Sequence, residues 1–97
     1  MVIGIRVAVC VLELHIPMAG SLKAKRQVIK SLIQRLRNHF NISIAEVGNQ
    51  DLWQRAELGV AAVCYNGAGA DSIMERIFSY IEQENNVSII SCRKENY

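Results

Sequence analysis

Two stretches of this chain are apolar on both faces of a strand, and few small architectures accommodate that. In Val7-Ala8-Val9-Cys10-Val11-Leu12 the odd positions are as apolar as the even ones, and Leu58-Gly59-Val60-Ala61-Ala62-Val63-Cys64 behaves the same way. An antiparallel strand with one wet face alternates apolar and polar residues, so two-sided strands are read as central strands. The remaining periodicities supply their neighbours. Residues 2–14 read as a long strand and are followed by the turn Pro17-Met18-Ala19-Gly20. Ser21 is the expected N-cap of a helix over Leu22–Phe40, whose apolar positions Val28, Ile29, Leu32, Ile33, Leu36 and Phe40 recur at helical spacing. Residues 41–47 alternate as an edge strand, 48–56 form a polar connection, and 58–65 is the second buried strand. After the turn Asn66-Gly67-Ala68-Gly69, Ser72 and Glu75 make a capping box for a helix carrying Ile73, Met74, Ile77, Phe78 and Ile81, and 87–92 is the last strand.

The order βαββαβ is the ferredoxin-like, or split βαβ, arrangement: an α+β domain with a four-stranded antiparallel sheet and two helices on one face. Its first and third strands are central, matching the two apolar stretches. Its second and fourth are edges, where Arg93 and Lys94 suit an exposed border. The 97 residues are expected to form this single domain, 1–97. Two helices cover only one face of the sheet, so the other is expected to be covered by a second copy, giving a homodimer. The alternative is that its Ala and Gly residues simply tolerate exposure.

The run from Val2 to Leu14 is interrupted by Arg6 and Glu13, is too short to cross a bilayer, and lacks a small-residue cleavage site behind a basic start. It is therefore read as neither membrane span nor signal peptide. Three widely spaced cysteines, Cys10, Cys64 and Cys92, exclude a disulfide scaffold and a zinc-finger pattern, and suit a reducing cytosol as inert buried thiols.

Charge is the strongest functional pointer. Residues 21–40 hold Lys23, Lys25, Arg26, Lys30, Arg35 and Arg37 with no acidic residue, while the rest of the chain carries five basic and nine acidic side chains, a balance of −4. A +6 block on a mildly acidic body points to an anionic partner. Asp or Glu normally favours the first turn of a helix, yet this one starts with Lys23, Lys25 and Arg26. Free N–H groups behind Ser21 together with these cations and Lys30 make an anion or RNA phosphate site. Lys23, Arg26, Lys30 and Arg37 fall on one helical stripe. Neutralisation of these cations by Glu13, Glu46, Asp51, Glu82 or Glu84 is the competing reading.

The topology places Glu13, His15, Ser21 to Arg26, Gly48 to Arg55 and Glu82 to Asn86 at one edge of the domain. There Gln50, Asp51, Trp53, Gln54 and Arg55 form a loop surface. Trp53, Gln54 and Arg55 could hold an unpaired base. The structural expectation is instead that Trp53 folds over the core edge and Asp51 pairs with Arg55 at i, i+4. Glu13 and His15 share one side of the first strand but lack a third ligand of defined spacing, so neither a metal nor a catalytic site is assigned, and no cofactor is expected. The chain shows no phosphate loop, dinucleotide fingerprint, nucleophile elbow or HExxH. RRM stacking aromatics and a KH GxxG loop are missing, and the loop HIPMAGSLKAKR lacks the acylphosphatase pattern GxVQGVxxR.

Two motifs carry a family likeness. Ser21 to Arg26 reads SLKAKR and Glu46 to Val63 reads EVGNQDLWQRAELGVAAV, with ELHIP at Glu13 to Pro17. Together these resemble the YlxP-like family of small bacterial proteins, a domain of unknown function, over essentially the whole chain. Asn49 stands where His is the more frequent residue. The resemblance implies a ferredoxin-like fold, a cytoplasmic bacterial protein and a link to translation or ribosome maturation without a defined activity. The functional expectation is a noncatalytic RNA- or ribosome-binding accessory factor that uses the basic start of its first helix. The alternative is a dimeric regulatory module binding a small anionic ligand.

Overall fold

The computed structural model describes residues 4–97 and follows the order β1(Arg6–His15), α1(Leu22–His39), β2(Ser43–Gly48), β3(Arg55–Cys64), α2(Gly67–Glu82), β4(Ser88–Asn96). The strands form one antiparallel sheet in the order β2-β3-β1-β4, so the two-sided strands are central. Both helices pack on one face, which makes the fold ferredoxin-like. That face of the sheet contributes Ala8, Cys10, Leu12 and Leu14 from β1 and Ala56, Leu58, Val60 and Ala62 from β3, all buried. Against them α1 sets Ile29, Leu32 and Leu36 while α2 sets Ala70, Met74, Ile77 and Ile81. Truncating any one of the large aliphatic side chains to Ala costs about 2–5 kcal/mol in a core of this kind.

Several element boundaries differ from the expected ones for identifiable reasons. Residues 2 and 3 of the expected first strand lie outside the described residues, and β1 begins at Arg6. The third strand starts at Arg55 rather than Leu58, because Arg55, Ala56 and Glu57 already pair with His15, Leu14 and Glu13. The polar look of that segment is the outward half of a strand alternation. Helix α2 starts at Gly67, capped by Asn66, whose Oδ1 accepts from the Gly69 N–H at 2.8 Å. Ser72 is therefore inside the helix and not its cap; two glycines in the first turn hide the true start. Strand β4 runs to Asn96 instead of stopping at Cys92, since Arg93, Lys94 and Glu95 continue the ladder opposite Val11, Cys10 and Val9. Lys94 lies over the Phe78 ring of α2, 5.6 Å from its centroid, which accommodates its charge on the helix side of the sheet.

The three cysteines differ in environment. Cys10 is buried, whereas Cys64 and Cys92 are only partly so. Burial pushes the Cys10 thiol up to about 12 from 9.0, nearby Cys92 adds to the rise, and the Lys94 ammonium opposes it. A thiol kept neutral in the fold but free to ionise in the unfolded chain stabilises the protein below pH 9.0, and this contribution is lost as pH rises towards 12. Alkylation of the native protein at about pH 8 is expected to spare Cys10, which reacts only on unfolding. Peptide mass mapping checks this; equal native and denatured labelling of Cys10 would contradict it.

Candidate functional site

The start of α1 follows the expected cap: Ser21 Oγ accepts from the Ala24 N–H at 3.0 Å. One turn on, Lys25 departs from the expected role. Its side chain is fully buried, and its ammonium donates to Glu46 Oε2 at 2.7 Å, to the Asn49 carbonyl at 3.1 Å and to the Gln50 carbonyl at 3.3 Å. Three donors meet three acceptors, so Lys25 has nothing left to offer a phosphate. Its neighbours explain much of the EVGNQ segment. A Cβ at Gly48 would lie 2.9 Å from Glu57 Oε2, so a larger residue there would push the Glu57 carboxylate aside. Asn49 turns the chain with φ 57°, a backbone state that Asn and His both tolerate better than most residues. Gln50 Nε2 then donates to the Glu46 carbonyl at 3.3 Å.

The rest of the loop is tied to the β1–α1 connection. The Ile16 N–H donates to the Gln54 carbonyl at 2.8 Å, while Gln54 Nε2 donates to the carbonyls of Pro17 and Ala19, each at 3.2 Å. Arg55 pairs with Glu13 at 2.5 Å rather than with Asp51. That contact occupies the carboxylate considered for an acid–base pair with His15. It also relieves the like charges of Glu13 and Glu57, which face each other across β1 and β3; Arg93, 3.6 Å from Glu57, relieves the other side. Trp53 does not fold over the core edge. It is 55% exposed beside Leu52 at 48%, and with His15, Gln54 and Arg55 these residues line a shallow hollow of about 410 Å³. Among the described residues no group of three or more His, Cys, Asp or Glu is placed to hold a metal ion.

The expected edge is thus assembled from β1, the start of α1 and the 49–54 loop; the last turn of α2 stops short of it, and the chain arrives there only where Ser88, just past Asn86, pairs with His15. Glu84 pairs with Arg35 at 3.1 Å, and Tyr80 packs on His39 with ring centroids 4.7 Å apart, both in the last turns of α1. A 16-residue helix rises about 24 Å, which is less than the length of the ten-residue strands beneath it.

With Lys25 and Arg35 paired, four cations of the basic block remain: Lys23, Arg26, Lys30 and Arg37. All are exposed, and among the described residues none meets an acidic side chain. Arg26, Lys30 and Arg37 wall a groove of about 550 Å³ between α1 and the edge strand β2, floored by Ile29, Ile33 and Ile44. Arg37 donates to the Ile44 carbonyl at 2.9 Å and holds the helix to that edge. The acidic side chain lining the groove, Glu46, is the one already neutralised by Lys25. The cationic stripe is visible in the sequence, but charge alone puts the site at the start of the helix; the apolar floor depends on β2 packing beside α1.

The family signature therefore falls on a hydrogen-bonded frame, with the groove beside it. Residues 7–94 match the family of proteins of unknown function DUF503. The chain belongs to that family. It is also similar to the uncharacterized protein YlxP of Bacillus subtilis (strain 168), with 44% identity over 64 residues, covering 66% of this chain and 70% of the relative. In this DUF503 chain Lys25, Glu46, Gly48, Gln54 and Arg55 have clear structural duties. Lys23, Arg26, Asp51 and Trp53 carry the signature onto the surface. No helix among the described residues is long and apolar enough to cross a membrane.

Proposed function

We propose that this protein is a noncatalytic accessory factor that holds RNA, free or within a ribosomal subunit, along the groove between α1 and β2. The observation that carries this reading is the row of exposed, unpaired cations on one wall of the groove, facing an acidic residue whose charge is already cancelled. From Lys23 to Arg37 the stripe rises about 21 Å along the helix, more than a small anion spans and suited to successive phosphates of a polymer. With Lys25 turned inward, the start of the helix keeps only Lys23 and Arg26 for a small ligand. That is why the polymer is preferred over the dimeric small-ligand module.

Four phosphate contacts predict a slope of about −2.8 in log affinity against log salt for single-stranded RNA, or a loss of roughly 50-fold over a fourfold rise in salt. Fluorescence anisotropy with a labelled oligoribonucleotide reads this directly. A slope near zero, or affinity unchanged by salt, would overturn the proposal, as would a melting shift produced by a small anion that RNA fails to reproduce.

A further inference from the structure

The face of the sheet opposite the helices carries a second feature, independent of the groove's ligand. Val7, Val9 and Val11 of β1 stand on it in a row, beside Val63, Ala61 and Gly59 of β3, with Val47 of β2 leaning over Gly59. Val63 is 69% exposed and Val47 54%. Tyr97, hydrogen-bonded through its backbone to Val7, extends the apolar surface at 68% exposure. The charges stand towards one end of the face and along β4: Glu13 pairs with Arg55 and Glu57 with Arg93, while Glu95, opposite Val9, accepts from the Tyr97 hydroxyl and leaves one negative charge. A face that is mostly apolar and carries one net negative charge does not attract an RNA or an acidic protein.

We infer that this face packs against the same face of a second copy of the chain. Shape supports a like partner. The β1 valines form a ridge with a hollow on each side: one of about 340 Å³ includes Ser43, Ala61 and Val63, and one of about 270 Å³ includes Arg93, Glu95 and Tyr97. A two-fold that lays β1 of each copy over β3 of the other sets each valine ridge over small residues, Ala61 and Gly59. Self-complementarity of that kind is what an isologous interface requires. Area supports it too. Strands about 4.8 Å apart, β1 and β3 about 34 Å long, β4 about 31 Å and β2 about 20 Å, present roughly 570 Å² in projection and more as accessible surface, approaching the ~800 Å² per partner of a stable interface. The helices and their grooves then point outward on both sides, so a dimer would offer RNA two equivalent sites.

Light scattering coupled to size exclusion, at about 50 µM protein, tests the inference, since a dimer's apparent stability depends on protomer concentration. The wild type is expected at twice the 10.9 kDa chain mass. Val63→Lys is accessible in the single chain and should fold normally, as circular dichroism can verify, yet run at the chain mass; Val9→Lys should do the same from the middle of the ridge. A monomeric wild type would overturn the inference. A dimer that survives both substitutions would also overturn it, by assigning assembly to another surface such as the β4 edge.

Discussion

Lys25→Met is expected to lower stability by about 3 kcal/mol, enough to take the melting temperature of a domain this size down by roughly 12–24 °C. Methionine keeps the volume and the helix propensity, so the loss isolates the charge. Without the ammonium, Glu46 and the carbonyls of Asn49 and Gln50 lose their shared donor. Breaking a buried pair from one side costs about 3–5 kcal/mol. The lower end applies because the Glu46 side chain retains 19% exposure and regains some water. Pairing the change with Glu46→Gln should recover part of the loss, because the orphaned charge is then removed as well. Urea unfolding of the two single variants and the double variant measures this coupling. A loss below ~1 kcal/mol for Lys25→Met would mean that loop 49–54 is held by Gln54 and Arg55 alone.

The second large effect concerns binding. Reversing Lys23, Arg26 and Lys30 to Glu removes three of the four cations of the stripe, two of them on the groove wall, and leaves Arg37 to hold Ile44. Each phosphate contact on single-stranded RNA contributes about 1 kcal/mol through counterion release at 0.1 M salt, so three are worth ~3 kcal/mol, or at least ~100-fold in affinity. Repulsion from the introduced carboxylates adds to that. These side chains are exposed and unpaired, so the variant should melt within a few degrees of the wild type. Anisotropy titration and a thermal melt on the same samples separate the two effects. Retained affinity would place any RNA contact elsewhere.

The two effects divide the basic block in a way that charge alone does not show. Lys25 is in helical phase with Ile29, Leu32 and Leu36, the buried stripe of α1. Its inward position is legible from spacing, although its charge groups it with Lys23 and Arg26. Glu46 shares a strand parity with buried Ile44 and gives the matching signal from β2. The central strands are legible because apolar residues on both parities of a strand mark it as one with neighbours on both of its edges. Helix α2 is harder: its cap, Asn66, stands before two glycines that argue against a helix locally, and only packing of Ala70 and Met74 on the sheet overrides them. Exposure of Trp53 is not written in the sequence, because it follows from how the Lys25 and Gln54 hydrogen bonds hold the 49–54 loop. The groove floor is hidden for a similar reason. Ile33 and Ile44 are ordinary core-type residues in sequence and become a lining only where the sheet edge leaves α1 uncovered.

The most direct test of the groove as an RNA site is a backbone amide NMR titration of the isotopically labelled protein with a short single-stranded oligoribonucleotide at low salt. Shift changes are expected to centre on Arg26, Lys30, Ile33, Arg37, Ile44 and Gln50 and to reverse as salt is raised. Changes confined to the His15 and Trp53 corner or to the Val7–Val11 face, or none at all, would contradict an RNA site in the groove.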